Sequence, residues 1–217
     1  MADYTLYTNP MSRGRIARWA LHEAGAHYGQ VIVEYGPRES KPEAFLKANP
    51  MGKVPTLVHH HASADGRIHD HVVTECAAIC HYLAEMHPDA GLLPEANEKA
   101  DYFRYLFFVA GPLEQASISQ RMGWSSDDPQ ARRMLGFGSF ELAVDTLETM
   151  LADRDYVCGE RFTAADVYVG SQVIWGVDFE TLPRRDAFIA YADLLKQRAA
   201  YRMADRIDED LIAERNA

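Results

Sequence analysis

Three short stretches of this chain hold residue types that could bind or activate a small polar ligand. The first is NPMGKVPTLV, residues 49–58. Pro50 ends the helix before it, because the residue preceding a proline avoids the α region. Pro55 then stands where a β-rich run begins. Proline lacks an N–H and is tolerated at the first residue of a strand. Alternatively, the Val54–Pro55 bond is cis, a form only about 0.5–1 kcal/mol above trans before proline. Such a bend would leave the N–H and C=O of Val54 unpaired, and an extended peptide could add to them like a strand. The local residues allow both.

The second stretch, Thr74-Glu75-Cys76, opens a helix. Helix N-termini attract carboxylates through their open N–H groups and dipole. The plainer reading makes Glu75 a favourable first-turn acid and Cys76 a small buried residue. The third, TNPMS at residues 8–12, places hydroxyls ahead of an amphipathic run, where Ser12 is a good N-cap. Lys41 and Lys53 flank the first stretch and supply local positive charge.

The elements that must position these residues are legible from periodicity. TLYT is β-prone. Arg13, Ile16, Ala17, Ala20, Leu21 and Ala24 recur at helical spacing, and Gly25 follows as a stop. QVIVEY reads as a second strand and PEAFLKAN as a short helix. VPTLVHH and GRIHDH flank the turn-like ASADG as a hairpin, and TECAAICHYLAEMHP is a helix stopped by Pro88. The order is β-α-β-α-β-β-α, a small α/β domain. AGLLPEANEK has linker composition. Helices are then predicted over about 95–122, 129–153, 164–176 and 186–204. Pro112 kinks the first or starts its second half. Gly136 and Gly138 fall inside the second, each at about 1 kcal/mol relative to alanine, so close packing is the expected compensation.

Length, composition and charge bound the function. The chain has 217 residues, 47% hydrophobic and 25% charged, enough for one large domain or two small ones. No apolar run approaches the roughly 18 residues of a membrane span. The opening MADYTLYTNP lacks a basic segment followed by an apolar one, so no signal peptide is expected. The three cysteines, Cys76, Cys80 and Cys158, form no disulfide framework and fit a reducing cytoplasm. A net charge of −10 opposes nucleic-acid binding.

Taken in order, LYTNPMSRGRIARWALHEAG, NPMGKVPTLV, VTECAAICHYL and YVCGERFTAADVYVG resemble the cytosolic glutathione transferases of bacterial type, along the whole chain. The resemblance implies a thioredoxin-like glutathione-binding domain over residues 1–86 and an all-helical domain over 87–217. It also implies a homodimer in the cytoplasm and no metal or organic cofactor, with glutathione as co-substrate. It makes Pro55 cis and gives the Val54 backbone the cysteinyl part of glutathione. Glu75 would take the ligand ammonium and the Cys76 N–H its γ-glutamyl carboxylate, although Cys76 replaces the family's usual serine and a thiol is a weak donor. Lys53 and Lys41 would meet the glycyl carboxylate.

Transfer chemistry needs the glutathione thiolate. Lowering a thiol by two pKa units takes about 2.7 kcal/mol, within reach of a hydroxyl hydrogen bond and a helix dipole. Ser12 is the first choice for that hydroxyl, with Thr8, Asn9 and Tyr7 as alternatives. Met11, Phe108, Gly111 and Pro112 would line the pocket of a hydrophobic electrophile. Two further readings share the fold: a glutathione-dependent reductase or isomerase, and a non-catalytic binding or regulatory protein. No cysteine stands in YTNPMSRGR, which disfavours redox turnover.

Two other groups of residues read as structural. Thr163 and Asp166 have the form of a capping box, with Phe162 and Val167 as its hydrophobic staple. His59, His60, His61, His69 and His71 crowd the hairpin, but successive strand residues face opposite sides, so the three consecutive histidines cannot all converge and no metal site is expected.

Overall fold

A computed structural model describes residues 3–63, 66–124 and 128–216. They form two compact units: Met1–Leu93 with Arg198–Ala217, and Pro94–Gln197. Among the described residues no helix is long and apolar enough to cross a membrane.

The first unit is built on a four-stranded mixed sheet of order β2-β1-β3-β4. In β1 (Tyr4–Thr8), Tyr4, Leu6 and Thr8 alternate into the core. It pairs in parallel with β2 (Tyr28–Ile32) and antiparallel with β3 (Thr56–Ala62), which pairs antiparallel with β4 (Ile68–Thr74). β2 ends earlier than the alternation of QVIVEY suggests. Val33 still donates to Thr8 O at 2.8 Å, but the Asn9 side chain takes the carbonyl of Val33 at 3.0 Å. That carbonyl is satisfied by a side chain rather than by a further rung of the ladder. The turn expected in ASADG includes Ala64 and Asp65, which lie outside the described residues.

Helices α1 (Gly14–Glu23) and α3 (Cys76–Met86) pack together, α1 burying Ile16 and Ala20 among others and α3 burying Ile79 and Leu83. Gly25, at φ +63°, supplies the left-handed residue that ends α1. The short α2 (Glu43–Ala48) buries Phe45 and leads into the Asn49-Pro50 turn.

The second unit is helical: α4 (Lys99–Phe108), α5 (Glu114–Met122), α6 (Pro129–Met134), α7 (Phe140–Leu151), α8 (Ala164–Asp178) and α9 (Asp186–Lys196). Between α4 and α5, Val109–Leu113 form a turn of π-helix around Pro112. The wider turn accommodates a residue that cannot donate to the ladder and crowds the preceding turn.

Two predicted helices are each divided in two. The stretch 129–153 breaks after Met134, where Leu135 turns extended at ψ 119°; Gly138 follows at φ +69°, and the Ser139 hydroxyl restarts the helix by accepting from Leu142 N–H at 3.1 Å. Gly136 has nothing within 4 Å of the position a Cβ would take, so the close packing expected there is absent. The stretch 186–204 breaks at Gln197-Arg198, and α10 (Ala199–Asn216) continues well beyond it. α10 packs on α1, within the first unit. The boundary between compact units therefore does not coincide with a division at 86/87.

The capping box is present as read: Asp166 accepts from Thr163 N–H at 2.8 Å and opens α8.

Candidate functional site

The three stretches with chemical potential meet at one end of the sheet in the first unit. The register pairs Tyr7 with Thr56, which sets the loop after β1 beside the segment entering β3. The Val54–Pro55 peptide is cis. Val54 is half-buried, and among the described residues neither its N–H nor its C=O has a backbone partner. Lys53 beside it is exposed.

This bend is held from beneath by a buried polar clamp. Asn49 Nδ2 donates to Lys53 O and to Thr56 Oγ1, both at 2.9 Å, while its Oδ1 accepts from Met51 N–H at 3.0 Å. Thr56 in turn donates to Lys53 O at 3.1 Å. Lys41 Nζ donates to Gly52 O, tying the start of α2 to the same loop. The Lys41 ammonium is thus engaged in holding the loop, whereas Lys53 projects outward.

The loop after β1 repeats the device. Asn9 Oδ1 accepts from Met11 N–H at 3.0 Å, the bond that Asn49 makes to Met51. Each Asn-Pro-Met is an Asx-turn. Asn49 and Thr56 are the positioning residues that the motif reading missed. The signal that would have found them is the recurrence of Asn-Pro-Met, once after β1 and once before β3.

Among the candidate activating groups, Thr8 and Asn9 are fully buried. Asn9 spends its amide on Val33 O and its carbonyl oxygen on Met11. Tyr7 is half-buried, its ring 5.3 Å from that of Phe45. Ser12 is half-buried, donates to Asn9 O at 2.7 Å and accepts from Gly14 N–H at 2.9 Å. The N-cap of α1 is Arg13, so Ser12 stands one residue ahead of the position expected for it and receives the first helical N–H from there. Gly14 cannot be replaced cheaply: a Cβ there would stand 1.9 Å from Thr8 Oγ1.

At the start of α3, Glu75 has φ +66° and ψ 120°, outside the regions ordinary side chains prefer. Such backbone costs on the order of 1–3 kcal/mol and persists where the surroundings impose it, commonly at functional sites. Glu75 is exposed. The first bond of the α3 ladder runs from Ile79 N–H to Glu75 O at 2.9 Å, so the preceding amides lie outside that ladder. The Cys76 thiol donates to Arg13 O at 3.6 Å, linking the starts of α3 and α1.

Ser12, Val54, Glu75 and Cys76 therefore belong to one end of one unit, where helix starts and an open backbone pair are gathered. Met11 is 60% exposed in the same unit. Phe108, Gly111 and Pro112 belong to the second unit, half-exposed at the end of α4 and in the π turn. Cys80 is fully enclosed, and burial pushes its thiol far above the usual range. Burial also raises Cys158, to about 11. Neither is a thiolate at neutral pH.

Residues 2–85 match the family "Glutathione S-transferase, N-terminal domain", and residues 128–179 match its C-terminal domain. Glutathione S-transferase 1 of Schizosaccharomyces pombe is 30% identical over 176 residues, covering 77% of this chain and 73% of that protein. A maleylacetoacetate isomerase of Pseudomonas aeruginosa is 28% identical and covers 94% and 95% of the two chains. A sphingomonad glutathione S-transferase, solved in complex with glutathione, is 25% identical over 94% of this chain and 98% of its own, with a TM-score of 0.69. The cis turn, the sheet order and these matches lead to one conclusion: the chain belongs to the glutathione S-transferase family.

Proposed function

We propose that the protein conjugates the thiolate of glutathione to a hydrophobic electrophile. The observation that carries this is the open amide pair of Val54, gathered with the helix starts at Ser12 and Cys76 in one unit. The cysteinyl backbone of glutathione adds to Val54 as a short strand. Its γ-glutamyl carboxylate lies at the N-terminus of α3, against the Cys76 amide, and Glu75 takes the ammonium. Lys53 meets the glycyl carboxylate; Lys41 contributes charge while it holds Gly52.

The sulfur is then close to the loop of Ser12. For Ser12 to stabilise a thiolate its hydroxyl must turn from Asn9 O to the sulfur, a rotation about one side-chain bond. The gain is a hydrogen bond to a charged acceptor, roughly twice as strong as the neutral one it replaces. In the first unit Met11 is the apolar candidate for meeting the electrophile, and in the second unit the candidates are Phe108, Gly111 and Pro112. Residues 1–86 serve glutathione and 87–217 the co-substrate. The chain works as a cytoplasmic homodimer, and no metal or organic cofactor enters the reaction.

Calorimetry with glutathione, followed by turnover of an aryl halide, tests the reading. Absence of binding at millimolar glutathione would favour a non-catalytic protein on this fold. The near full-length similarity to a maleylacetoacetate isomerase supports a second reading, in which glutathione adds to a double bond and leaves again. Product analysis separates the two, since the isomerase returns glutathione unconsumed. A reductase is the weakest of the readings: no cysteine occupies residues 7–15, and Cys80 and Cys158 are held protonated by burial.

A further inference from the structure

The β3–β4 hairpin carries a histidine array that the transferase reading leaves unused. His59 pairs with His71, and His61 with His69, in the antiparallel register. Directly opposed residues share a face, as do residues two apart on one strand. All four imidazoles therefore project from the same side. His60 faces the other way, where it is bound to Asp70 at 2.7 Å and to Thr5 at 2.8 Å. The alternation that separates His60 from its neighbours is the same alternation that brings His59 and His61 together.

Three of these rings already form a nearly equilateral triangle. Their centroids are 5.7 Å apart for His59–His61, 5.9 Å for His61–His71 and 6.4 Å for His59–His71. Imidazoles sharing a tetrahedral Zn²⁺, with Zn–N bonds of about 2.0–2.1 Å, stand with centroids about 5 Å apart. As the side chains stand, no group of three or more His, Cys, Asp or Glu among the described residues could hold a metal ion, so the site forms only when rings turn. His61 and His71 are both exposed, so each can turn about its side-chain bonds by the small distance required without disturbing the core.

His59 is the anchor. Its Nδ1 lies 2.7 Å from Tyr82 Oη, and its ring stacks on Tyr4 at 4.5 Å with the planes 28° apart. In the tautomer that donates Nδ1–H to the phenol, the lone pair stands on Nε2. A second group that orients the ring and fixes its tautomer is the usual companion of a metal-ligating histidine. The array thus has two strands to set the spacing, one ring held in place and two that can adjust.

We propose that His59, His61 and His71 form a binding site for a divalent cation that favours imidazole, such as Zn²⁺, on the α3 side of the β3–β4 hairpin. Three histidines leave a fourth position for water or for His69 opposite His61. The ion would clamp the two strands across their register. The site shares no residue with the proposed glutathione site, so the two stand or fall separately.

The test is titration calorimetry of ZnCl₂ into untagged, chelator-treated full-length protein at pH 7.5, without glutathione. One saturable site per chain with a micromolar dissociation constant is expected. His61→Ala and His71→Ala should each weaken it at least tenfold. Tyr82→Phe should weaken it about tenfold through the ring it orients. His60→Ala, on the opposite face, should leave it unchanged. Co²⁺ should give the visible absorption of a four-coordinate site. No saturable binding, or equal losses in the His60 and His61 variants, would overturn the proposal. Circular dichroism of each variant keeps a folding defect from being read as lost binding.

Discussion

The hydroxyl of Ser12 gives its proton to the carbonyl of Asn9 at 2.7 Å, and its oxygen receives the N–H of Gly14 at 2.9 Å. Capping and thiolate stabilisation draw on the same group. They do not compete equally, because the capping bond uses the oxygen lone pair and the thiolate needs only the proton. Ser12→Ala should therefore cost about 1 kcal/mol of stability, as loss of a cap does. Conjugation of glutathione to an aryl halide should fall by at least tenfold at saturating substrate. Denaturant melts and steady-state kinetics measure the two effects side by side. Wild-type turnover would remove Ser12 from the chemistry and leave it a cap.

Asn49 offers a second separation of structure from binding. Its amide holds Lys53 O and Thr56 Oγ1, and its oxygen holds Met51 N–H; Asn49 and Thr56 are buried, Met51 and Lys53 exposed. Asn49→Ala removes three hydrogen bonds, but Lys53 O and Thr56 Oγ1 keep the bond they make to each other, so a stability loss of about 1–3 kcal/mol is expected. Because the clamp sits beneath Val54, glutathione should bind at least fivefold more weakly in the folded variant, as read by calorimetry. Unchanged affinity would mean that the Val54 loop keeps its shape without Asn49.

Much of this geometry was legible in the sequence where the signals are local. The spacing of Ile16, Ala20 and Leu21 with Gly25 after them marks α1, and Thr163 with Asp166 marks the start of α8. The Pro55 bend was one of two local readings, and resemblance gave it its weight. What was not legible depends on partners far along the chain. β2 ends where Asn9 captures Val33, a bond between residues 24 positions apart. The break from Leu135 to Gly138 is a choice of backbone conformation that helical spacing alone does not register. The return of α10 to the first unit depends on charges at Arg15, Arg18 and Glu23 meeting Asp205, Asp208 and Arg198. The histidine face was hidden by attention to consecutive residues when the relevant neighbours were two apart and across the ladder.

Asp166 ties stability to pH. It accepts from Val157 N–H at 2.6 Å, Thr163 N–H at 2.8 Å, Tyr191 Oη at 2.9 Å and Thr163 Oγ1 at 3.0 Å. Burial outweighs these donors and raises its carboxyl from 3.8 to about 6. The folded state then holds a proton that the unfolded state releases. Its stabilising contribution is complete below pH 3.8 and disappears as pH rises through about 6. Compared with Asp166→Asn, the wild-type protein should lose about 2 kcal/mol of relative stability between pH 4 and pH 7. Urea titrations of both proteins across that range measure it. A constant difference would show that the four hydrogen bonds keep the carboxylate at its ordinary acidity.

The attachment of α10 makes the sharpest energetic claim. Arg15 meets Asp205 at 2.5 Å and Glu209 at 2.7 Å, but those acids are 40% and 58% exposed, and such pairs contribute little. Arg18 and Asp208 are different: their side chains are 1% and 0% exposed, with Nε to Oδ2 at 3.0 Å. Arg18 also donates to Tyr28 Oη at 3.0 Å and Gln30 Oε1 at 2.7 Å. Removing one partner strands the other charge in the core, which costs about 3–5 kcal/mol. Arg18→Met and Asp208→Leu should each lower stability by about that amount, insensitive to added salt. The double variant removes both charges and replaces them with apolar groups of similar reach. It should be more stable than either single variant, giving a coupling of about 2–3 kcal/mol in the cycle. Additive losses would mean that α10 is held by its apolar face alone and that the buried pair contributes nothing to its docking.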